Sequence, residues 1–261
     1  MDMEFRNKVI VVTGASRGVG ALLTRMFVEA GASVLFSART KEPLRALEKG
    51  LRDQGHDVHA WTADVGSHAD CERLIAAAME RWGRIDVLVN NAGLSGAQKP
   101  IHELAYEEFD EVVRANQYSV YSCTHFAARH MVRQRSGVIV NVSSGITRRA
   151  LPFRTAYVSS KRGLSGITAT TALDLGPYGI RCNSVSPGAI AGPRLDEVVA
   201  RTAESRGLPA TTVANEFLER AALRAYVTDK DICETILFLC SRRARHITGQ
   251  DIAVNAGSQT M

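Results

Sequence analysis

Residues 8–12, Lys-Val-Ile-Val-Val, form a short β-branched apolar run, and Thr13-Gly14-Ala15-Ser16-Arg17-Gly18-Val19-Gly20 then turns directly into a helical pattern. Val19, Leu22, Leu23, Met26, Phe27 and Ala30 fall on one helical face, and Gly31 stands where a C-terminal cap is wanted. A helix that begins at glycines leaves its first-turn amides, the positive end of its dipole, open to close approach, so a dinucleotide phosphate is the expected ligand. The spacing is Gly-x-x-x-Gly-x-Gly, not Gly-x-Gly-x-x-Gly. This unit opens a regular alternation. Strands are expected near 8–12, 33–37, 57–61, 86–89, 137–141, 180–185 and 251–254, and helices near 18–30, 41–54, 67–81, 107–114, 118–135, 155–175 and 229–240. Right-handed crossovers then dictate an α/β fold, a doubly wound and mostly parallel sheet with helices on both faces and ligands at the carboxyl ends of the strands. The glycine loop, Asn90, Ser144 and Pro187 each follow an expected strand and so share one rim.

The 261 residues, 45% of them hydrophobic, suffice for one large core, and no low-complexity linker, charge block or solenoid repeat divides them. One domain over 1–261 is expected. Residues 1–7 carry charges and no apolar leader core, and no stretch offers about 18 uninterrupted apolar residues, which points to a soluble cytoplasmic protein without membrane insertion. Cys71, Cys123, Cys182, Cys233 and Cys240 are scattered without a Cys-x-x-Cys pair, so neither a disulfide framework nor a metal site is expected. The net charge of +5 is spread along the chain with no nucleic-acid-binding module, which favours small anions over nucleic acid as partners.

Ser143, Ser144, Tyr157 and Lys161 carry the chemistry. On a helix over 155–175, Tyr157 and Lys161 lie at i and i+4, one turn apart on the same face. A nearby cation favours phenolate over phenol, drawing the Tyr157 pKa down from about 10 toward the range of a working acid or base. Taken alone, a Tyr-x-x-x-Lys is also what many surface helices display.

Together with Asn90-Asn91-Ala92-Gly93 after Val87-Leu88-Val89, with Asn116, and with Pro187-Gly188, these motifs make the chain resemble the short-chain dehydrogenase/reductase family along essentially its whole length. Within it, the pattern is similar to the 3-oxoacyl-carrier-protein-reductase-like members. The resemblance implies a Rossmann-type fold and hydride transfer between a nicotinamide and a carbonyl or secondary alcohol, most simply NADPH-dependent ketone or aldehyde reduction. By the same resemblance Tyr157 is the general acid/base and Ser144 holds the substrate oxygen, with Ser143 in support. Lys161 tunes Tyr157 and binds the nicotinamide ribose, and Asn116 helps hold a water beside Lys161. Cofactor contacts are implied at Gly14, Ser16, Arg17, Gly18, Val19, Gly20, Arg39, Asp64, Val65, Asn90, Ala92, Gly93, Tyr157, Lys161, Pro187, Gly188 and Ile190. A homotetramer is implied, with the helices near 107–135 and 155–175 as its contact surfaces.

The second strand ends Ser37-Ala38-Arg39, with Ala38 where the family's NAD-type Asp stands, and Arg17 and Arg39 can both meet a 2′-phosphate. NADP(H) is therefore expected over NAD(H). Two positions depart from the family: Gly192 replaces a threonine five residues past Pro187, and Asn255-Ala256-Gly257 replaces Asp-Gly-Gly. Arg148, Arg149 and Arg154 border the expected substrate position, and Arg194 opens a segment, 189–215, expected to act as a substrate loop or lid. These cations suggest a carbonyl or alcohol substrate that carries an anion. The alternatives are a catabolic NAD-dependent alcohol or sugar dehydrogenase and a non-catalytic NADPH-sensing regulator.

Overall fold

The computed structural model describes residues 4–258. Seven strands, β1 (Val9–Thr13), β2 (Ser33–Ala38), β3 (Val58–Thr62), β4 (Val87–Asn90), β5 (Gly137–Val142), β6 (Ile180–Pro187) and β7 (Asp251–Val254), form one sheet in the order β3-β2-β1-β4-β5-β6-β7. Every neighbouring pair is parallel. Helices α1 (Gly18–Glu29), α2 (Lys41–Arg52), α3 (His68–Trp82), α4 (Tyr106–Val113), α5 (Ser119–Gln134), α6 (Thr155–Leu175), α7 (Pro193–Arg206), α8 (Ala210–Arg220) and α9 (Asp229–Cys240) make the connections. The fold is thus a Rossmann-type doubly wound α/β sheet, with boundaries within two residues of those expected for the elements named from the sequence.

The period of two along a strand explains why both faces are covered. All five residues of β1 are buried. Ile10 and Val12 belong to one apolar cluster with Leu23 and Phe27 of α1 and Ile232 and Ile236 of α9. Val11 points the other way, into a second cluster with Leu74 of α3 and Phe126 of α5. A strand buried on both faces reads as a continuous apolar run, as 8–12 does. All five cysteines are free and buried.

Strand order reverses between β1 and β4, so the loops after these two strands flank the crevice where doubly wound sheets bind ligands. The segment 189–215 holds α7 and most of α8, which the sequence reading left without helices. They carry a small apolar cluster of their own, Leu195, Val199, Ala203 and Val213, too sparse to stand out as an amphipathic stripe. Pro193 at the first turn and Gly207 as a left-handed C-cap were the signals available. Gly192, where the family threonine is absent, has φ 130° and ψ −178°, a conformation only glycine adopts readily. No helix among the described residues is long and apolar enough to cross a membrane.

Candidate active site

The turn after β1 packs so closely that side chains are excluded. A Cβ on Gly20 would lie 2.3 Å from the Gly14 carbonyl oxygen and 2.6 Å from Asn91 Nδ2, and one on Gly14 would lie 2.7 Å from Ala92 Cα. Two residues that sequence reasoning did not single out fix this contact. Asn91 Nδ2 donates to the carbonyls of Thr13 and Gly14, both at 3.0 Å. The Asn91 and Ala92 amides each donate to Thr13 Oγ1 at 3.1 Å. The second Asn of Asn90-Asn91 was the available signal.

Around Ser16, Arg17, Gly18 and Val19, the start of α1 has no side-chain cap and no acid in its first turn. A Cβ on Gly18 would find only Asp229 Oδ2, at 3.8 Å, so the first-turn amides face open space that a diphosphate fits. Burial holds the Asp229 carboxyl above its ordinary pKa. Arg17 and Arg39 are exposed, and neither forms an ion pair among the described residues. Arg39 and Asp64 line a groove of about 640 Å³ that continues along Glu111, Arg114 and Tyr118 and does not reach Tyr157. Asp64 Oδ1 accepts the Gly66 amide at 3.0 Å, shaping the turn after β3, while Val65 packs into the core.

The Asn90 side chain is buried, with its Oδ1 free of any partner among the described residues. Its Nδ2 donates to Thr124 Oγ1 (3.1 Å) and Asn141 Oδ1 (2.9 Å), so the side chain is a strut between β4, α5 and β5. Pro187 closes β6. Beyond it the Gly188 amide donates to the Val254 carbonyl at 2.9 Å, and a Cβ there would stand 2.7 Å from Asn255 Cα. Ile190 pairs with Val227 in an isolated parallel bridge. Ala256, in place of the family's glycine, takes φ 51°.

The structure gathers the proposed catalytic side chains at the carboxyl ends of β4 and β5. Lys161 Nζ, on α6, donates to the Val142 carbonyl at 2.7 Å, tying that helix to the end of β5 just before Ser143 and Ser144. Tyr157 is one turn earlier on α6. Ser144 is half-buried, and its Oγ accepts the Ile146 amide at 3.3 Å. Ser143 is buried, its Oγ without a partner. A Cβ on Gly93 would sit 3.1 Å from Asn116 Oδ1 and 3.4 Å from Lys161 Nζ, so the Ala92-Gly93 turn lies directly over both.

Asn116 does not break the helix. It occupies a π-helical turn, Arg114–Tyr118, that joins α4 to α5. The wider turn lets Asn116 Oδ1 accept the Leu94 amide (2.6 Å) while Nδ2 donates to the Leu94 carbonyl (2.9 Å) and Ser160 Oγ (3.0 Å). The amide therefore straps the turn after β4 to α6.

Lys161 has no acid beside it. Burial, and secondarily the charge of Arg194, push its ammonium down to about 7. The arginines divide. Arg148 turns to the last strand, donating to the Asp251 carbonyl at 3.2 Å with the Asp251 carboxylate 3.7 Å away, and Arg149 is exposed. Arg154 is buried, its Nη2 donating to Ser95 Oγ at 3.0 Å and its guanidinium carbon 4.7 Å from the centre of the Tyr157 ring. Burial, and after it the like charges of Arg201 and Arg194 in the middle and at the start of α7, lower the Arg154 pKa from its ordinary value, with Tyr157 acting the other way.

A Gly-lined helix start at a strand-order reversal, on the same rim as Ser144 and Lys161, has the form of a dinucleotide-binding enzyme site. The family described as short chain dehydrogenase matches residues 8–203. The chain is 32% identical over 252 residues to the 3-oxoacyl-[acyl-carrier-protein] reductase FabG of Staphylococcus epidermidis, covering 96% of this chain and 98% of that one. Among solved structures, levodione reductase superposes with a TM-score of 0.91 at 29% identity (97% and 98% covered), and an NAD+-bound xylitol dehydrogenase with 0.93 at 27% (97% and 100%). The chain belongs to the short-chain dehydrogenase/reductase family.

Proposed function

We propose that this oxidoreductase is an NADPH-dependent reductase of ketones or aldehydes, one cytoplasmic domain over 1–261 with 189–215 as its substrate lid. The observation that carries the reading is the tie between α6 and the end of β5, Lys161 Nζ donating to the Val142 carbonyl at 2.7 Å, which supports a shared site for Lys161, for Tyr157 one turn earlier on α6 and for Ser144 two residues past Val142. When bound, the dihydronicotinamide supplies a hydride to the carbonyl carbon. Ser144 Oγ holds the carbonyl oxygen, and Tyr157 gives its phenolic proton to that oxygen as negative charge builds, leaving an alcohol and a phenolate. The Lys161 ammonium offsets the phenolate charge from one turn away. Asn116 keeps the Gly93 turn seated over Lys161.

The end of β2 supports NADP(H). Ala38 offers no carboxylate to an adenosine ribose, while Arg39 and Arg17 are unpaired cations where a 2′-phosphate would lie. The relatives do not decide the matter: the carrier-protein reductase name implies reduction, whereas the xylitol dehydrogenase was solved with NAD+. Incubation with NADPH or NADH and a panel of carbonyls tests the reading. Coupled loss of NADPH and formation of alcohol is expected, and a protein that binds NADPH but turns over neither carbonyl nor alcohol would be a sensor instead.

The position of Lys161 gives this binding a pH dependence. In the free protein burial and the Arg194 charge hold the Lys161 pKa down to about 7, so the attraction for an anionic cofactor weakens as pH rises past that point and binding of the charged form is coupled to proton uptake. Affinity for NADPH is expected to fall by up to about tenfold per pH unit above 7, with proton uptake seen by calorimetry in two buffers and lost in Lys161→Met. A dissociation constant that is flat from about pH 7 to 8.5 would contradict this assignment.

Exposed apolar surface supports a homotetramer. Tyr106 of α4, Tyr118 in the π turn, Tyr121 of α5 and Leu173 of α6 are 73%, 52%, 55% and 78% exposed, an unusual set of large side chains to leave in water on the elements expected to pair. Light scattering coupled to size exclusion should give four times the chain mass. A stable monomer would overturn it.

A further inference from the structure

Arg154 stands just before α6 and is only 8% exposed, yet no carboxylate among the described residues pairs with it and its Nη1 has no hydrogen-bond partner. Taking a guanidinium out of water without a counter-charge is costly, and the Ser95 bond and the Tyr157 ring face offset only part of that cost, which favours an arriving anion. Ser95 takes one nitrogen, the Tyr157 ring lies beneath the guanidinium, and Arg194 and Arg201 add like charge from α7. A second buried donor without a partner, Gln98 Nε2, lies in the loop after β4, where Gln98 Oε1 accepts from Thr202 of α7 at 3.5 Å. Arg201 is answered by the Glu197 carboxylate, 3.9 Å away, whereas neither Arg154 nor Arg194 has an acid partner among the described residues, and these two guanidinium groups are the complement of an anion. Arg154 is already buried within its own chain, so a subunit contact does not account for it.

We infer that Arg154 is the specificity residue for a carboxylate on the substrate, and that the substrate is a short oxo acid reduced to its hydroxy acid. The inference rests on the reductase reading and adds the substrate class. Because the guanidinium lies over the ring whose hydroxyl gives the proton, the carboxylate and the reacting carbonyl are separated by only a few bonds. Arg194, at the start of α7, adds to the attraction. A thioester or ester, which lacks the charge, leaves Arg154 unanswered.

The test compares 3-oxohexanoate with its methyl ester, using NADPH and the wild-type protein, Arg154→Gln and Arg154→Lys. The wild type should favour the acid by about 10- to 100-fold in kcat/KM, the range of one charged hydrogen-bonded contact, chiefly through KM. Arg154→Gln should bring the acid-to-ester ratio near one, and Arg154→Lys should restore part of it. The ratio is internal to each variant, so partial misfolding does not mimic the effect. Equal use of acid and ester by the wild type, or a ratio unchanged in Arg154→Gln, would overturn the assignment. Calorimetric binding of 3-hydroxyhexanoate separates the two readings. Arg154-dependent binding without turnover of either compound sustains the anion site and sinks the reductase, whereas turnover of the ester with no Arg154-dependent binding of the acid does the reverse. Neither binding nor turnover of the acid would overturn the anion site.

Discussion

Replacing Tyr157 by Phe is expected to lower kcat by about 10²- to 10⁴-fold, the usual contribution of a positioned acid, while NADPH still binds within about threefold of wild type. The change removes one oxygen and leaves the ring in place beneath the Arg154 guanidinium, 4.7 Å from its carbon, so α6 keeps its packing. Lys161 also stays, held to the Val142 carbonyl at 2.7 Å and next to Gly93, and with it the part of the site proposed to meet the cofactor. Loss of turnover with retained binding is therefore the signature of a missing proton donor. A Phe variant with more than about a tenth of wild-type kcat would show that water or another side chain delivers the proton.

The second large effect concerns cofactor choice. Ala38→Asp combined with Arg39→Ala is expected to lower the preference for NADPH over NADH by about 10²- to 10³-fold in Kd. Losing one charge-assisted contact to the 2′-phosphate accounts for about 1.5–3 kcal/mol, and the new carboxylate repels that phosphate while offering an acceptor to the ribose hydroxyl. Ala38 is the last residue of β2, paired with Thr62 of β3, so the new carboxylate would stand at the strand's carboxyl end on the ligand side of the sheet. Fluorescence titration of both nucleotides checks it. An unchanged ratio in the double variant would move the phosphate contact away from Arg39.

Much of this was legible because the relevant signals are local. The β-branched run at 8–12, glycines that tolerate positive φ at Gly14 and Gly18, and Tyr and Lys one turn apart are each fixed by a few neighbouring residues. What the sequence hid depends on distant packing. Nothing in Arg114-Ala-Asn-Gln-Tyr118 announces a π turn, since it contains neither Gly nor Pro, and its extra residue is stabilised by contacts to Leu94 and Ser160. Asn90 stands at the end of β4, as the sequence suggests, but its bonds to Thr124 and Asn141 come from distant elements that the sequence does not announce. Lys161 reads as a firm positive charge, whereas burial leaves it poised near neutrality. Of four arginines that look equivalent as letters, Arg148 is engaged by Asp251, Arg149 faces water, and Arg154 is buried over Tyr157 with Arg194 near it. Arg201, which joins them, was invisible until α7 formed.

The most direct measurement follows the transferred atom. The protein is incubated with NADPH deuterated at both C4 positions and a carbonyl compound it reduces, and the alcohol is examined by mass spectrometry. One deuterium on the carbinol carbon, formed by the wild type and not by Tyr157→Phe, is the predicted result. An unlabelled alcohol, or equal labelling by the Phe variant, would contradict direct hydride transfer completed by the Tyr157 proton.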